Sequence, residues 1–70
     1  MADILYLAKE LFEEGKVRRA LEDYRALADI HMKIESNHYI CTFKDCKYDE
    51  KRTMMEFENY VIDLSNSGKV

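Results

Sequence analysis

The chain has 70 residues and a formal net charge of −3 at pH 7. This length allows one domain, residues 1–70, and so short a domain buries only about 60% of the surface that its unfolded chain exposes. The acidic balance excludes the broad basic surface that sequence-independent nucleic-acid binding requires, so we do not expect a nucleic-acid partner.

The N-terminal sequence and the cysteines indicate the compartment. The opening MADILYLAKELF has no basic leader, and Asp3, Lys9 and Glu10 interrupt its apolar run, which is unlike a signal peptide. No stretch reaches the ~20 apolar residues of a membrane span. Cys41 and Cys46 would lie about 16 Å apart along an extended strand, too far for a disulfide. We therefore expect a cytoplasmic protein with reduced thiols and no membrane partner.

The first 27 residues have the three- and four-residue spacing of amphipathic helices. A first helix is predicted over about residues 3–14, with an apolar side formed by Ile4, Leu7, Ala8, Leu11 and Phe12. Gly15 is expected to end this helix, and a second helix follows over about residues 16–27. Alternatively, Gly15 lies inside one long helix at a cost of about 1 kcal/mol.

The stretch DIHMKIESNHYICTFK predicts a β-hairpin with strands over about residues 29–35 and 38–44 and a turn at Ser36-Asn37. A two-residue turn pairs Ile34 with Tyr39, Met32 with Cys41 and Ile30 with Phe43 on one apolar face. The opposite face then pairs Glu35 with His38, Lys33 with Ile40 and His31 with Thr42. Because one face is apolar and the other mostly polar, the hairpin is expected to be half-buried.

The last predicted element is a helix over about residues 50–65, which begins at either Asp49 or Thr53 and is followed by a loose tail. The predicted fold class is therefore α+β, with the order α-α-β-β-α and an antiparallel β-hairpin covered on one face by helices. Such a hairpin leaves two unpaired edges, which invite a second copy or a peptide strand. Since a marginal core without disulfides needs support, we expect a homodimer or another stable partner.

The residues that could carry chemistry do not form a site in the sequence pattern. His31 and His38 are too far apart along the hairpin to share a metal ion, and no further ligands join them. Cys46 has lysines nearby that would favour its thiolate and Asp45, which opposes it, but no residue is available as its base. With glycine only at positions 15 and 68, no phosphate-binding loop is present. We expect no catalytic residue, no metal and no cofactor, and hence no enzyme.

Candidate interface residues come from the outer face of the hairpin and from the tyrosines. Lys33, His38, Ile40 and Thr42 would be exposed on that face, and Ile40 is its one large apolar side chain. Tyrosine is enriched in binding surfaces, and Tyr6 and Tyr48 are the two of the five tyrosines least needed for the core.

Residues 20–64 resemble a known family. The pattern comprises Ala20 and Tyr24, the run Tyr39-Ile40-Cys41-Thr42-Phe43, the run Glu56-Phe57-Glu58-Asn59-Tyr60, and Leu64. It is similar to small HxsD-like proteins, which are encoded beside radical-SAM enzymes that modify ribosomally made peptides. The resemblance implies a non-catalytic accessory or peptide-handling role and assigns no site residues. The chain has no His-Xaa-Ser triplet, the hallmark of the associated peptide.

The expected function is therefore a small protein- or peptide-interaction module, with an accessory role in ribosomal-peptide maturation as one setting. The alternative is an acidic phage-type inhibitor or nucleic-acid mimic, whose carboxylates would match a basic groove on another protein.

Overall fold

The structure is a computed structural model that describes residues 3–67. In chain order the elements are β1 (Asp3–Ala8), α1 (Glu14–Asp23), β2 (Asp29–Ile34), β3 (His38–Lys44) and α2 (Glu50–Ser67). The three strands form one antiparallel sheet in the order β1-β3-β2. The small α+β fold is thus confirmed, but the predicted order α-α-β-β-α is wrong, because the order is β-α-β-β-α. The last helix extends two residues beyond its predicted end at about residue 65, so residues 66–67 belong to α2, and the rest of the predicted tail, residues 68–70, lies outside the described residues.

The first predicted helix is a strand that adds a third member to the sheet. β1 pairs with β3, with Leu7 opposite Tyr39 and Leu5 opposite Cys41. Residues 4–8 are an uninterrupted apolar run, of which Leu7 is buried in the core while Ile4 and Tyr6 face outward and are exposed. The apparent helical spacing arose from joining this strand to Leu11 and Phe12. Those two residues belong to the turn after β1 and do not continue a helix.

Gly15 occupies neither of its two predicted positions, the end of a first helix or the interior of one long helix. It lies in the first turn of α1, and no described glycine has a positive φ. Since the segment before it is a strand and a turn, Gly15 neither ends an N-terminal helix nor lies inside a long one. α1 buries Val17 and Ala20 and ends at Asp23, where the chain passes through a turn closed by hydrogen bonds to the Tyr24 carbonyl.

The predicted hairpin register is confirmed. Ile34 lies opposite Tyr39, Met32 opposite Cys41 and Ile30 opposite Phe43, as the alternation of apolar residues predicts. At the turn, the Glu35 amide donates a 2.8 Å hydrogen bond to the His38 carbonyl. The apolar pattern alone was sufficient here because a slip of one residue would move all six side chains to the wrong face.

Both helices contribute to a core on one face of the sheet, which we call the inner face. The sheet contributes Leu7, Tyr39, Cys41 and Phe43, all 5% exposed or less, and the helices contribute Val17, Ala20, Phe57 and Val61. Phe43 and Phe57 meet edge to face with ring centroids 5.3 Å apart, which joins the central strand to α2.

α2 begins at the first of its two predicted starts. The Asp49 side chain accepts a 3.0 Å hydrogen bond from the Arg52 amide, which caps the free N–H groups of the first turn. Thr53 lies inside this turn, is buried, and donates from Oγ1 to the Asp49 carbonyl at 2.8 Å. The N-terminus of α2 is thus held by one residue, Asp49, through both its side chain and its backbone.

Candidate functional site

The outer face of the sheet points away from the helical core, and we call it the open face. It is built from alternate residues of the three strands, and the residues between them, which include the buried Leu7, Tyr39, Cys41 and Phe43, face the core. The set consists of Ile4, Tyr6 and Ala8 from β1, Asp29, His31 and Lys33 from β2, and His38, Ile40, Thr42 and Lys44 from β3.

Rows of side chains cross the open face perpendicular to the strands. In the middle row, Ile40 has Tyr6 on one side and Lys33 on the other. In the next row, Thr42 lies between Ile4 and His31. Because directly opposed Cβ atoms in antiparallel pairs are about 4.5–5.5 Å apart, each row is a continuous surface.

The apolar part of this face is exposed although it is contiguous. Tyr6 is 59% exposed and Ile4 is 48% exposed, while Ile40 between the strands is half-buried. The Tyr6 ring meets the His38 ring edge-on with centroids 6.1 Å apart, which extends the patch across β3. A contiguous apolar patch rimmed by polar groups is the usual form of a protein-binding surface.

Charged groups lie along the β2 side of the open face. His31 Nε2 lies 3.3 Å from Asp29 Oδ1, and Lys33 Nζ lies 3.7 Å from Glu35 Oε2. All four side chains are about half exposed or more, so these contacts contribute little stability. They leave opposite charges alternating along the rim, which can pair with a charged partner.

The structure brings five of the six candidate interface residues to one face. Lys33, His38, Ile40, Thr42 and Tyr6 all belong to the open face. Lys33 and His38 are exposed as expected, but Ile40 and Thr42 are half-buried. The difference arises because β1 pairs with the second edge of β3, which the two-stranded prediction left empty.

The remaining candidate, Tyr48, lies in the loop between β3 and α2. It is 63% exposed, and Lys47 Nζ lies 5.9 Å from the centroid of its ring. This loop leaves the sheet at Asp45, whose φ of 49° turns the chain after β3. Tyr48 is therefore part of a connecting loop, not a member of the rows on the open face.

Ile4 is the open-face residue that the sequence analysis missed. It was assigned to the apolar side of a helix, where it would have been buried. The run ILYL is apolar at every position and has no alternation, so only the pairing of β1 with β3 shows that Ile4 faces outward.

The two cysteines are free thiols in different surroundings. Burial raises the pKa of the Cys41 thiol to about 11. Burial also raises the pKa of Cys46, and the carboxylates of Glu50, Asp3, Asp45 and Asp49 raise it further. Of the opposing charges expected beside Cys46, the acidic groups therefore outweigh the lysines. Neither thiol has the environment of a nucleophile.

Two kinds of site are missing from the part of the chain that the structure describes. Within residues 3–67, no group of three or more histidine, cysteine or acidic side chains converges in a way that could hold a metal ion. Over the same residues, no helix has the length and apolar character needed to cross a membrane.

Comparison with known proteins gives no family. No protein-family model, no curated protein and no solved structure matches the chain. The resemblance to HxsD-like proteins accordingly stays a prediction.

Proposed function

We propose that the protein is a small non-catalytic interaction module that docks a protein or peptide on the open face of its sheet. The observation that carries this proposal is the exposed apolar row of Tyr6 and Ile40, continued by Ile4 and bordered by Lys33 and His31. These apolar groups do not contribute to the core, which lies entirely on the other side of the sheet.

The composition of the patch fits recognition of a partner with apolar side chains. Tyrosine offers a large rigid surface at little conformational cost, and Ile40 at the centre is flanked by Tyr6 on one side and Lys33 on the other. The surrounding histidines, lysines and Thr42 provide the polar rim that surrounds such a centre in protein interfaces.

The alternative of an acidic inhibitor or nucleic-acid mimic receives less support from the arrangement of charges. On α1 and α2 the carboxylates of Glu14 and Glu56 contact Arg18 and Arg52, at 2.7 Å and 3.5 Å. Arg19 likewise lies 4.0 Å from Asp23. Since arginines are interleaved with these carboxylates, the helical side offers mixed charge where a mimic needs a continuous anionic face.

The resemblance to HxsD-like proteins supplies a biological setting for the proposal. An accessory protein of a peptide-modifying enzyme would bind the precursor peptide or the enzyme without performing chemistry. The open face is a surface of that kind, and we propose accessory action in peptide maturation as its setting. The cytoplasm, where such peptides are made, is the proposed location.

The test compares a variant on the open face, Ile40→Asp, with a matched variant away from that face, Leu11→Asp. Proteins encoded by genes beside this one are titrated against the wild type, Ile40→Asp and Leu11→Asp by calorimetry. Leu11 is the control, because it is an equally apolar and 70% exposed residue in the turn after β1. We expect Ile40→Asp to weaken binding by about tenfold or more, as truncation of a central interface residue does, and Leu11→Asp to leave it unchanged.

Two results would count against the proposal. One is equal binding by all three folded proteins, which would place the interface off the open face. The other is binding that disappears in moderate salt and is unaffected by Ile40→Asp, which would favour the acidic mimic, since exposed charge attraction is screened by salt.

A further inference from the structure

We infer that two copies of the chain associate through the free edge of β2, antiparallel, with the two-fold axis beside His31. The result is one continuous six-stranded sheet with a single joined open face. The inference deepens the proposed function. It rests on that function in one respect, namely that the sheet is the element that interacts. It names the partner at the edge as a second copy of this chain.

The hydrogen bonds of the hairpin determine which backbone groups the β2 edge presents. The Glu35 amide donates to the His38 carbonyl, so Glu35 and every second residue before it point their backbone groups toward β3. The intervening residues, Ile30, Met32 and Ile34, therefore direct their N–H and C=O groups away from the sheet. These groups lie at the edge of the sheet, where no described strand pairs with them.

The opposite edge of the sheet, at β1, is less available. The Asp3 amide donates to Glu50 Oε1 at 3.0 Å, and the Ala8 carbonyl accepts from the Leu11 and Phe12 amides at 3.1 and 3.2 Å. Both ends of β1 are thus tied to other parts of the chain, and α2 packs against the strand. Exposed strand edges are where chains add to one another. The outward Ala8 carbonyl of β1 already has two donors, whereas the outward groups of Ile30, Met32 and Ile34 in β2 are bonded to no other described part of the chain.

Charge selects the register among the symmetric pairings of β2 with itself. An axis beside His31 places Asp29 opposite Lys33 of the second copy, and the same pair recurs by symmetry. An axis at Met32 would place Asp29 opposite Glu35 of the second copy, and an axis at Lys33 would place two lysines together. Opposite charges directly across an antiparallel pair stabilise it and like charges destabilise it, so the axis beside His31 is favoured over these two. An axis at Ile30 would place Asp29 opposite His31, but it pairs only residues 29–31 of the strand, so the axis beside His31 joins charge matching with a longer paired segment.

The shape of the strand ends fits the same register. Ile34 belongs to the inner-face row of β2 but remains 40% exposed, because the sheet ends there. At the other end of β2, a cleft of about 820 Å³ is lined by apolar residues, among them Leu27, Ala28 and Ile30, and by charged ones, among them Glu22, Arg25 and Asp45. The axis beside His31 aligns Ile34 of each copy with Ala28 of the other. The exposed isoleucine of one chain thus lies beside the apolar residues of this mixed cleft in its partner.

The first test is a charge exchange followed by sedimentation. The wild type is expected to reach twice the 8.3 kDa mass of one chain. Asp29→Lys and Lys33→Asp each place like charges across the interface, and each should weaken dimerisation by about tenfold. The double variant restores both pairs with their signs exchanged and should recover dimerisation. Because Asp29 also lies opposite Lys44 in its own sheet, the fold of each variant is checked by circular dichroism.

The second test reads the register directly through a disulfide. In a Cys46→Ser background, His31→Cys places two cysteines in a directly opposed pair with Cα atoms about 4.5 Å apart, within the disulfide range. Lys33→Cys is the matched control, because its two copies would lie about 13 Å apart along the strands. We expect an oxidised covalent dimer for His31→Cys and none for Lys33→Cys.

Three results would overturn the inference. They are a one-chain mass at every concentration, a double charge variant that dimerises no better than the single variants, and a covalent dimer at position 33 in place of position 31. The proposed function fails by a different readout, namely unchanged partner binding by Ile40→Asp. If the protein is a monomer and Ile40→Asp still abolishes partner binding, the dimer inference is wrong and the docking proposal stands.

Discussion

The two faces of the central strand β3 have the same backbone and opposite roles. Phe43 and Cys41, on the inner face, are fully buried against the helices. Thr42 and Ile40, the residues that alternate with them, are only half-buried and have no helix above them. The comparison separates the residues that this small domain needs for folding from those left available for binding.

The difference also shows where stability is concentrated. A 70-residue chain has roughly 3.5–10 kcal/mol of folding free energy at the usual value per residue. One face of the sheet must supply most of this, because only that face is covered. We therefore expect substitutions on the inner face to be costly and those on the open face to be tolerated.

The largest expected effect is that of Phe43→Ala. Phe43 is fully buried and packs edge to face on Phe57, so its truncation should cost about 3–5 kcal/mol, enough to unfold much of the population. Ile40→Ala on the same strand should cost no more than about 2 kcal/mol, since Ile40 is half-buried. Urea unfolding followed by circular dichroism measures both. Equal costs would mean that the open face is covered in solution.

Thiol labelling is expected to show the same contrast kinetically. Cys46 is partly exposed, whereas Cys41 is buried on the inner face and its pKa is raised to about 11. A thiol reagent at neutral pH should modify Cys46 first. The labelling rate of Cys41 should be lower by about a hundredfold or more, because labelling of Cys41 requires unfolding. Mass spectrometry of the digested protein assigns the sites. Comparable rates would show that the inner face opens readily.

A smaller effect is expected for Tyr39→Phe. The Tyr39 hydroxyl donates a 3.2 Å hydrogen bond to the Phe12 carbonyl, which ties the β1–α1 turn to the central strand. Its removal should cost about 1 kcal/mol and leave the ring packing unchanged. Urea unfolding again provides the value, and a variant as stable as the wild type would mean that water replaces this bond.

The last expected effect is on the alkaline side of the stability profile. Because burial raises the pKa of Cys41 from 9.0 to about 11, the folded state keeps its proton at a pH where the unfolded state loses it. Cys41 thus contributes stability below about pH 9 that is lost as the pH rises toward 11. Cys41→Ala should lose less stability over that range than the wild type.

Other ionising groups do not affect the comparison of Cys41→Ala with the wild type at alkaline pH. Burial and the Glu56 carboxylate raise the pKa of Tyr24, and the hydrogen bond to Asp23 raises that of Tyr60. Both tyrosines are present in the variant as well as in the wild type, so their effects cancel. Parallel profiles for the two proteins would mean that the Cys41 thiol is as accessible in the folded state as in the unfolded state.

The sequence was sufficient for the hairpin and not for the strand before it. From Ile30 to Phe43, apolar and polar residues alternate except at Ile40, so one register satisfies the buried face and the others do not. In β1, Ile4 and Tyr6 are apolar although they face outward, so the alternation is absent. A strand with apolar residues on both sides has no period of two, and its partner, β3, is distant in sequence.

The same cause explains what could be predicted of the candidate site. Lys33, His38, Ile40 and Thr42 follow from the hairpin register alone. Ile4, the neighbour of Thr42, depends on the pairing of β1, which no local pattern specifies. Tyr6 was selected because tyrosine is common in interfaces, and its position beside Ile40 is information that only the folded chain provides.

The most direct test of the two-face account compares two adjacent residues of β3. Ile40→Asp and Cys41→Asp introduce the same charge on opposite faces of one strand. Equilibrium unfolding in urea should find Ile40→Asp folded and within about 2 kcal/mol of the wild type, because its carboxylate can reach water. Cys41→Asp should be unfolded without denaturant, since a buried carboxylate has no partner there. If both variants unfold, or if both remain equally stable, the division of the sheet into a folding face and a binding face is wrong.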